Sequence, residues 1–180
     1  MFSRARMTDA TQRVTIGIDP GQSGAVAVLA DGEPVKVFDM PCTARKNAGH
    51  EVSAAALAIE LRAIVRQYPG AHVSAVVEQV AAMRGWGTGG SFRFGEAFGI
   101  VKGVLATAGI GYRLVGPPAW KRHHGLIGAE KDASRGAVMQ RWPETAAWLT
   151  RKKDDGRADA ILIAAWHHDT EQHAQAETAA

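Results

Sequence analysis

Apolar and polar positions alternate from Val14 to Asp19, turn continuously apolar from Ala25 to Ala30, and alternate again from Pro34 to Met40. Alternation rich in β-branched residues, broken by the turn-forming stretches DPGQSG and ADGE, predicts three antiparallel strands. Residues 41–52 carry no period and read as a loop, ending in Ser53 as the cap of a helix that reaches Gln67. HVSAVVEQV predicts a buried strand from Val73 to Glu78, and AAMRGWGTGGS a glycine-rich loop after it. Phe94, Phe98, Val101, Leu105 and Ala108 then recur at helical spacing, with Gly95, Gly99 and Gly103 forming a second, smooth stripe. GYRLVGPPAW reads as a strand running into a helix opened by proline. Asp132 to Trp142 and Asp155 to His168 predict two more helices. The expected organisation is a flexible arm over 1–13, one domain over 14–168 and a frayed polar tail over 169–180. The order of elements predicts an α/β fold, a mixed five-stranded sheet with helices on both sides.

Composition changes this picture little, but the placement of charge changes it more. The 180-residue chain has a formal net charge of +3. Between Arg113 and Arg157 ten Lys or Arg residues stand against five acids, which permits an anionic partner on that side. The one cysteine, Cys42, excludes an internal disulfide and fits a reducing cytoplasm. No apolar run approaches the roughly 20 residues of a membrane span. The first residues lack the apolar stretch of a secretory signal, so a cytoplasmic protein with no membrane partner is expected.

Two predicted strands end in an acid, Asp19 in GIDPGQSGA and Glu78 in VVEQV. The first stretch admits three readings: a plain turn, a phosphate-gripping loop, or a carboxylate at the mouth of a sheet. Strand ends are where side chains converge on a site in α/β proteins. Asp155 and Asp159 are four apart and share a helix face. Four carboxylates brought together would repel one another unless protonated or bridged by a cation. Oxygen ligands without histidine or thiol point to magnesium or manganese, and two such ions could clamp both oxygens of a phosphodiester displacement. Ion pairing on a solvated face, with Lys152 and Arg157, is the alternative for the helical pair. Lys121, Arg122, Lys131, Arg135, Lys152, Lys153 and Arg157 are candidate phosphate contacts. Met83, Arg84 and Trp86 are candidate stacking or strand-separating residues on the glycine loop. His123, His124, His167 and His168 read as surface or helix-end residues. Trp120, Trp142, Trp148 and Trp166 read as core.

IGIDPGQSGAVAVL, VVEQV, KDASR and KKDDGRADAILIAAWHH, in that order, resemble RuvC-type Holliday junction resolvases, closest to the phage-encoded and plant chloroplast branch. The resemblance implies a homodimer of ribonuclease H-like subunits that nicks opposing strands of four-way junction DNA symmetrically. It implies products with 5′-phosphate ends and dependence on two magnesium ions per site, with manganese as a substitute. The family's metal-binding acids fall on Asp19, Glu78 and Asp159. The fourth falls on Gly156 at bacterial RuvC spacing and on Asp155 at chloroplast-like spacing. A family lysine near the site falls on Lys131, and a second on Lys121. The aromatic wedge of bacterial RuvC has Ala81 in its place, so a wedge must come from Met83, Arg84 or Trp86. Two other readings stand beside this one. Sugar kinases and actin-like ATPases open with a similar strand and turn but need two such domains. A junction-binding architectural protein on the same fold would lack catalysis.

Overall fold

The structure is a computed structural model that describes residues 11–46, 49–79, 87–130 and 132–179. Strands β1 (Arg13–Ile18), β2 (Ala25–Ala30) and β3 (Glu33–Asp39) form the antiparallel meander expected from their alternation. Strands β6 (His72–Glu78) and β7 (Gly111–Val115) add to β1 in parallel, giving a mixed sheet of order β3-β2-β1-β6-β7. The Asp31-Gly32 turn between β2 and β3 takes two left-handed residues, φ 51° and 91°, as a tight hairpin requires.

Period-two alternation sends successive residues to opposite faces. Val14, Ile16, Ile18, Val26, Val28, Ala75 and Val77 pack on one side against helices α1 (Ala54–Gln67) and α2 (Thr88–Thr107). Ala25, Ala27, Leu29, Val76 and Val115 pack on the other, against α3 (Pro117–His123), α4 (Ala133–Arg141) and α5 (Asp155–Ala179). Ser53 caps α1 as expected, its hydroxyl accepting from the Ala56 N–H. Leu57, Leu61 and Ile64 are wholly buried on its inner face, and truncating one to alanine would cost about 2–5 kcal/mol. Helix α5 lies directly on β1: a Cβ at Gly17 would sit 2.1 Å from the Ala160 carbonyl oxygen.

Four expectations need correction. The expected loop over 41–52 contains a two-stranded hairpin, β4 (Cys42–Ala44) with β5 (His50–Val52). Each strand is three residues long, and β4 is wholly exposed, so no core-facing period marks it. Helix α2 begins at Thr88, inside the expected glycine loop, and its buried residues are Ala97, Val101, Val104 and Leu105. Phe94 and Phe98 are only partly buried. Helix α5 continues past His168 because Asp169 is held by Arg141 and His123, and Glu171 by Arg13. The Arg141 guanidinium holds the Asp169 carboxyl down to about 2 despite its partial burial. Finally, His167 and His168 are buried rather than superficial, and burial pushes both below the usual histidine range.

Candidate active site

The register of β1 with β6 sets up the site. Ile18 pairs with Val77 in the parallel ladder, so Asp19 and Glu78 leave neighbouring strand ends side by side. Such strands run about 4.8 Å apart. After Asp19 the chain turns through Pro20 to Gly24 and returns into β2, with the Asp19 N–H donating to the Ala25 carbonyl at 3.0 Å. The GIDPGQSGA stretch is therefore a tight turn that also presents a carboxylate at the sheet mouth. Gly24 has no room for a side chain, since a Cβ there would lie 2.2 Å from the Asp19 carbonyl oxygen.

The start of α5 closes onto this turn. A Cβ at Gly156 would stand 2.7 Å from the Ser23 carbonyl oxygen and 3.3 Å from Asp19 Oδ2. An acid at position 156 would clash with the turn. Asp155, the residue before it, shares a helix face with Asp159. Asp155, Asp159, Ser134 and Lys121 line a cavity of about 220 Å³. Asp155 Oδ1 is buried there without a hydrogen-bond partner among the described residues.

Electrostatics link the acids in a chain. Burial pushes the Asp19 carboxyl up to about 7, with the charges of Glu78 and Asp159 adding to the effect. Burial also raises Glu78, and Asp159 adds to it, while the Trp120 N–H donated to Glu78 Oε1 at 2.8 Å opposes the rise. Asp159 is raised by burial and by Asp155, against the Ser134 hydroxyl and the Lys121 charge. Among the described residues no three His, Cys, Asp or Glu side chains form a closed metal-ligand group. The arrangement is an open cluster of coupled carboxylates. Its oxygen-only donors, the orphaned Asp155 Oδ1 and a proton held on Asp19 near neutrality suit a hard divalent cation that displaces that proton.

A pH test follows from the Asp19 shift. An unfolded Asp titrates near 3.9, so between roughly pH 4 and 7 the folded protein holds an extra proton. Its contribution then makes the metal-free protein less stable as pH rises through that window. Asp19→Asn removes the titration. In chelator, its unfolding temperature should match wild type near pH 4 and exceed it increasingly towards pH 7.5. A difference that does not widen with pH would contradict the coupling.

The remaining candidates divide. Lys121 lies beside Glu78 and Asp159, its ammonium 5.3 Å from the Trp120 ring centre. Arg122, Lys152 and Lys153 are exposed. Arg135 donates to the Leu149 carbonyl, and Arg157 to Asp39 and the Trp148 carbonyl. Asp154, next to Asp155 in the chain, is 1% exposed and paired with Arg151. Lys131, Met83, Arg84 and Trp86 lie outside the described residues. Sequence reasoning placed Trp120 in the core, where it is, but missed its bond to Glu78. Ser134 was missed as well. Trp120 carries no sequence signal for this bond, because it reaches Glu78 across the fold.

Fold and strand-end acids together define a ribonuclease H-like domain. Thermus thermophilus RuvC aligns with it in two structures, one of them in complex with a Holliday junction substrate. Their TM-scores are 0.55 and 0.54 at 17% and 20% identity, covering 89% of this chain and 96% of RuvC. In sequence, 61 residues are 44% identical to the chloroplastic Holliday junction resolvase MOC1 of Chlamydomonas reinhardtii. That match takes in 32% of this chain and only 7% of the relative. No family model matches. The resemblance read first in the acidic motifs is thus met by a local sequence match to one such resolvase and by a fold shared with RuvC. No helix among the described residues is long and apolar enough to cross a membrane.

Proposed function

We propose that this chain is a divalent-metal-dependent endonuclease that resolves four-way DNA junctions by paired, symmetric nicks. What supports the reading is that Asp19 and Glu78 end neighbouring strands and are charge-coupled to Asp159, and Asp159 to Asp155, on a fold shared with RuvC. These four side chains would hold magnesium, two ions per site, with manganese as a substitute. When bound, the cations supply charge neutralisation and an activated water for phosphodiester hydrolysis, leaving a 5′-phosphate end. The protein's own part is positional. Trp120 orients Glu78 by a hydrogen bond, Ser134 lines the cavity with Asp159, and Lys121 places a cation beside both acids. Lys131 contacts the scissile phosphate. Arg122, Lys152 and Lys153 hold the flanking backbone, and Met83, Arg84 and Trp86 hold the junction open. The protein works in a bacterial or phage-infected cytoplasm.

Magnesium-dependent nicking of a synthetic four-way junction, run beside linear duplex, tests the reading. Nicking of the junction in preference to duplex is expected. Binding without nicking would identify an architectural protein instead.

Paired nicks need two active sites, and the surface supports a homodimer. Gly95, Gly99 and Gly103 form an exposed stripe on α2 with nothing described within 4 Å of an added Cβ. They do not fit the helix against its own sheet. Phe92 on the same helix is 67% exposed. Sedimentation should show a dimer at micromolar concentration, shifted toward monomer by Gly99→Glu. A monomeric wild type, with and without junction, would refute the dimer.

A further inference from the structure

Beside the carboxylate cluster lies a second charged network, made of Asp39, Arg151, Asp154 and Arg157. The stretch RKKDDGRADA carries two adjacent acids, and the point at which α5 starts decides which of them faces Asp159. Asp154 closes a short 3-10 turn before α5, accepting from the Arg151 N–H and Nε, each at 2.7 Å. Both its oxygens are thereby engaged, whereas Asp155 Oδ1 stays unpartnered in the cavity with Asp159. Arg151 therefore makes the choice between the two acids. Arg151 is in turn held by Asp39 at the end of β3, whose two oxygens accept from Nη2 at 3.0 Å each. Asp39 also accepts from Arg157 Nε at 2.5 Å, one turn further along the same region.

The strand end that carries Asp39 reaches the other half of the cluster too. The next residue, Met40, donates its N–H to the Gly24 carbonyl at 2.9 Å, within the turn that presents Asp19. Gly156 meanwhile rests on that turn at Ser23 and Asp19. One strand end thus joins the Asp19 turn to the start of α5. We infer that Asp39 is a positioning residue, fixing through Arg151 and Arg157 the register of α5 that turns Asp155 rather than Asp154 toward the acid cluster. Its value to the reaction rests on the proposed nuclease reading; its effect on the helix start does not.

Asp39 is about half exposed, and exposed ion pairs contribute little to global stability. A displacement near 1 Å at a reacting centre, by contrast, can cost on the order of 100-fold in rate. Positioning and mere stabilisation therefore differ in what they change. Amide hydrogen exchange should be compared in wild type, Asp39→Asn and Asp39→Glu. The Asn variant should exchange roughly ten-fold faster over residues 158–161, with β1 unchanged. It should also show a smaller thermal shift on adding magnesium and nick about ten- to a hundred-fold more slowly. Asp39→Glu, which retains the charge, should recover most of each loss. Unchanged exchange and an unchanged magnesium response in Asp39→Asn would overturn the inference. If wild type nicks nothing, the nuclease reading fails, while the exchange comparison still decides the role of Asp39.

Discussion

Asp19→Asn and Glu78→Gln should each abolish junction nicking while leaving junction binding largely intact. Both acids sit at adjacent strand ends where the sheet cannot shift them, and each is charge-coupled to Asp159. Affinity for a junction comes mainly from phosphate contacts by cations, which neither substitution touches. An amide in place of the carboxylate keeps the shape but removes a charged oxygen ligand. Activity should fall by several orders of magnitude, below detection in a standard gel assay. The folded state should survive, because burial disfavours the Asp19 charge and neutral Asn relieves that strain. Near-wild-type nicking by either variant would show that these acids are not the metal ligands. Binding measured by mobility shift, with calcium in place of magnesium, separates lost chemistry from lost recognition.

Asp155→Asn should lower the nicking rate by orders of magnitude with little change in unfolding temperature, and Asp154→Asn should do the reverse. Positions four apart on a helix differ by about 40° and positions five apart by about 140°, so only Asp155 shares a face with Asp159. Asp155 Oδ1 has no hydrogen bond to lose. Asp154 is buried and accepts from Arg151, whose charge and hydrogen bonds hold its carboxyl below the ordinary range. Removing that charge should cost on the order of 1.5–3 kcal/mol, the usual range for a hydrogen bond to a charged group. Some rate loss is expected as well, about ten-fold, because the start of α5 loosens. If Asp154→Asn were the more damaging to catalysis at equal magnesium, Asp154 would be the ligand and the helix would start earlier in solution.

Much of the fold was legible because its signals are local. Alternation in β1 to β3, the Ser53 cap and the Pro117-Pro118 helix opening each depend on residues a few positions apart. The β4–β5 hairpin was not legible, since strands of three residues, one of them wholly exposed, are too short to show an alternation. The continuation of α5 was missed for a different reason. Its polar residues after His168 look frayed until Arg13, Arg141 and His123, distant in sequence, arrive to pair with them.

At the site the division is sharper. The chain by itself determined which acids end strands and which share a helix face. These follow from spacing and from strand and helix periods. Only the tertiary structure decided why Gly156 must be glycine, because the Ser23 carbonyl and Asp19 fill the space a side chain would need. It also gave Arg135 and Arg157 partners inside the protein. It turned Asp154 inward onto Arg151 and set Trp120 against Glu78. Those outcomes depend on groups far apart in the chain meeting in a water-poor interior, where charges and donors must find partners. Local pattern carries no record of such meetings.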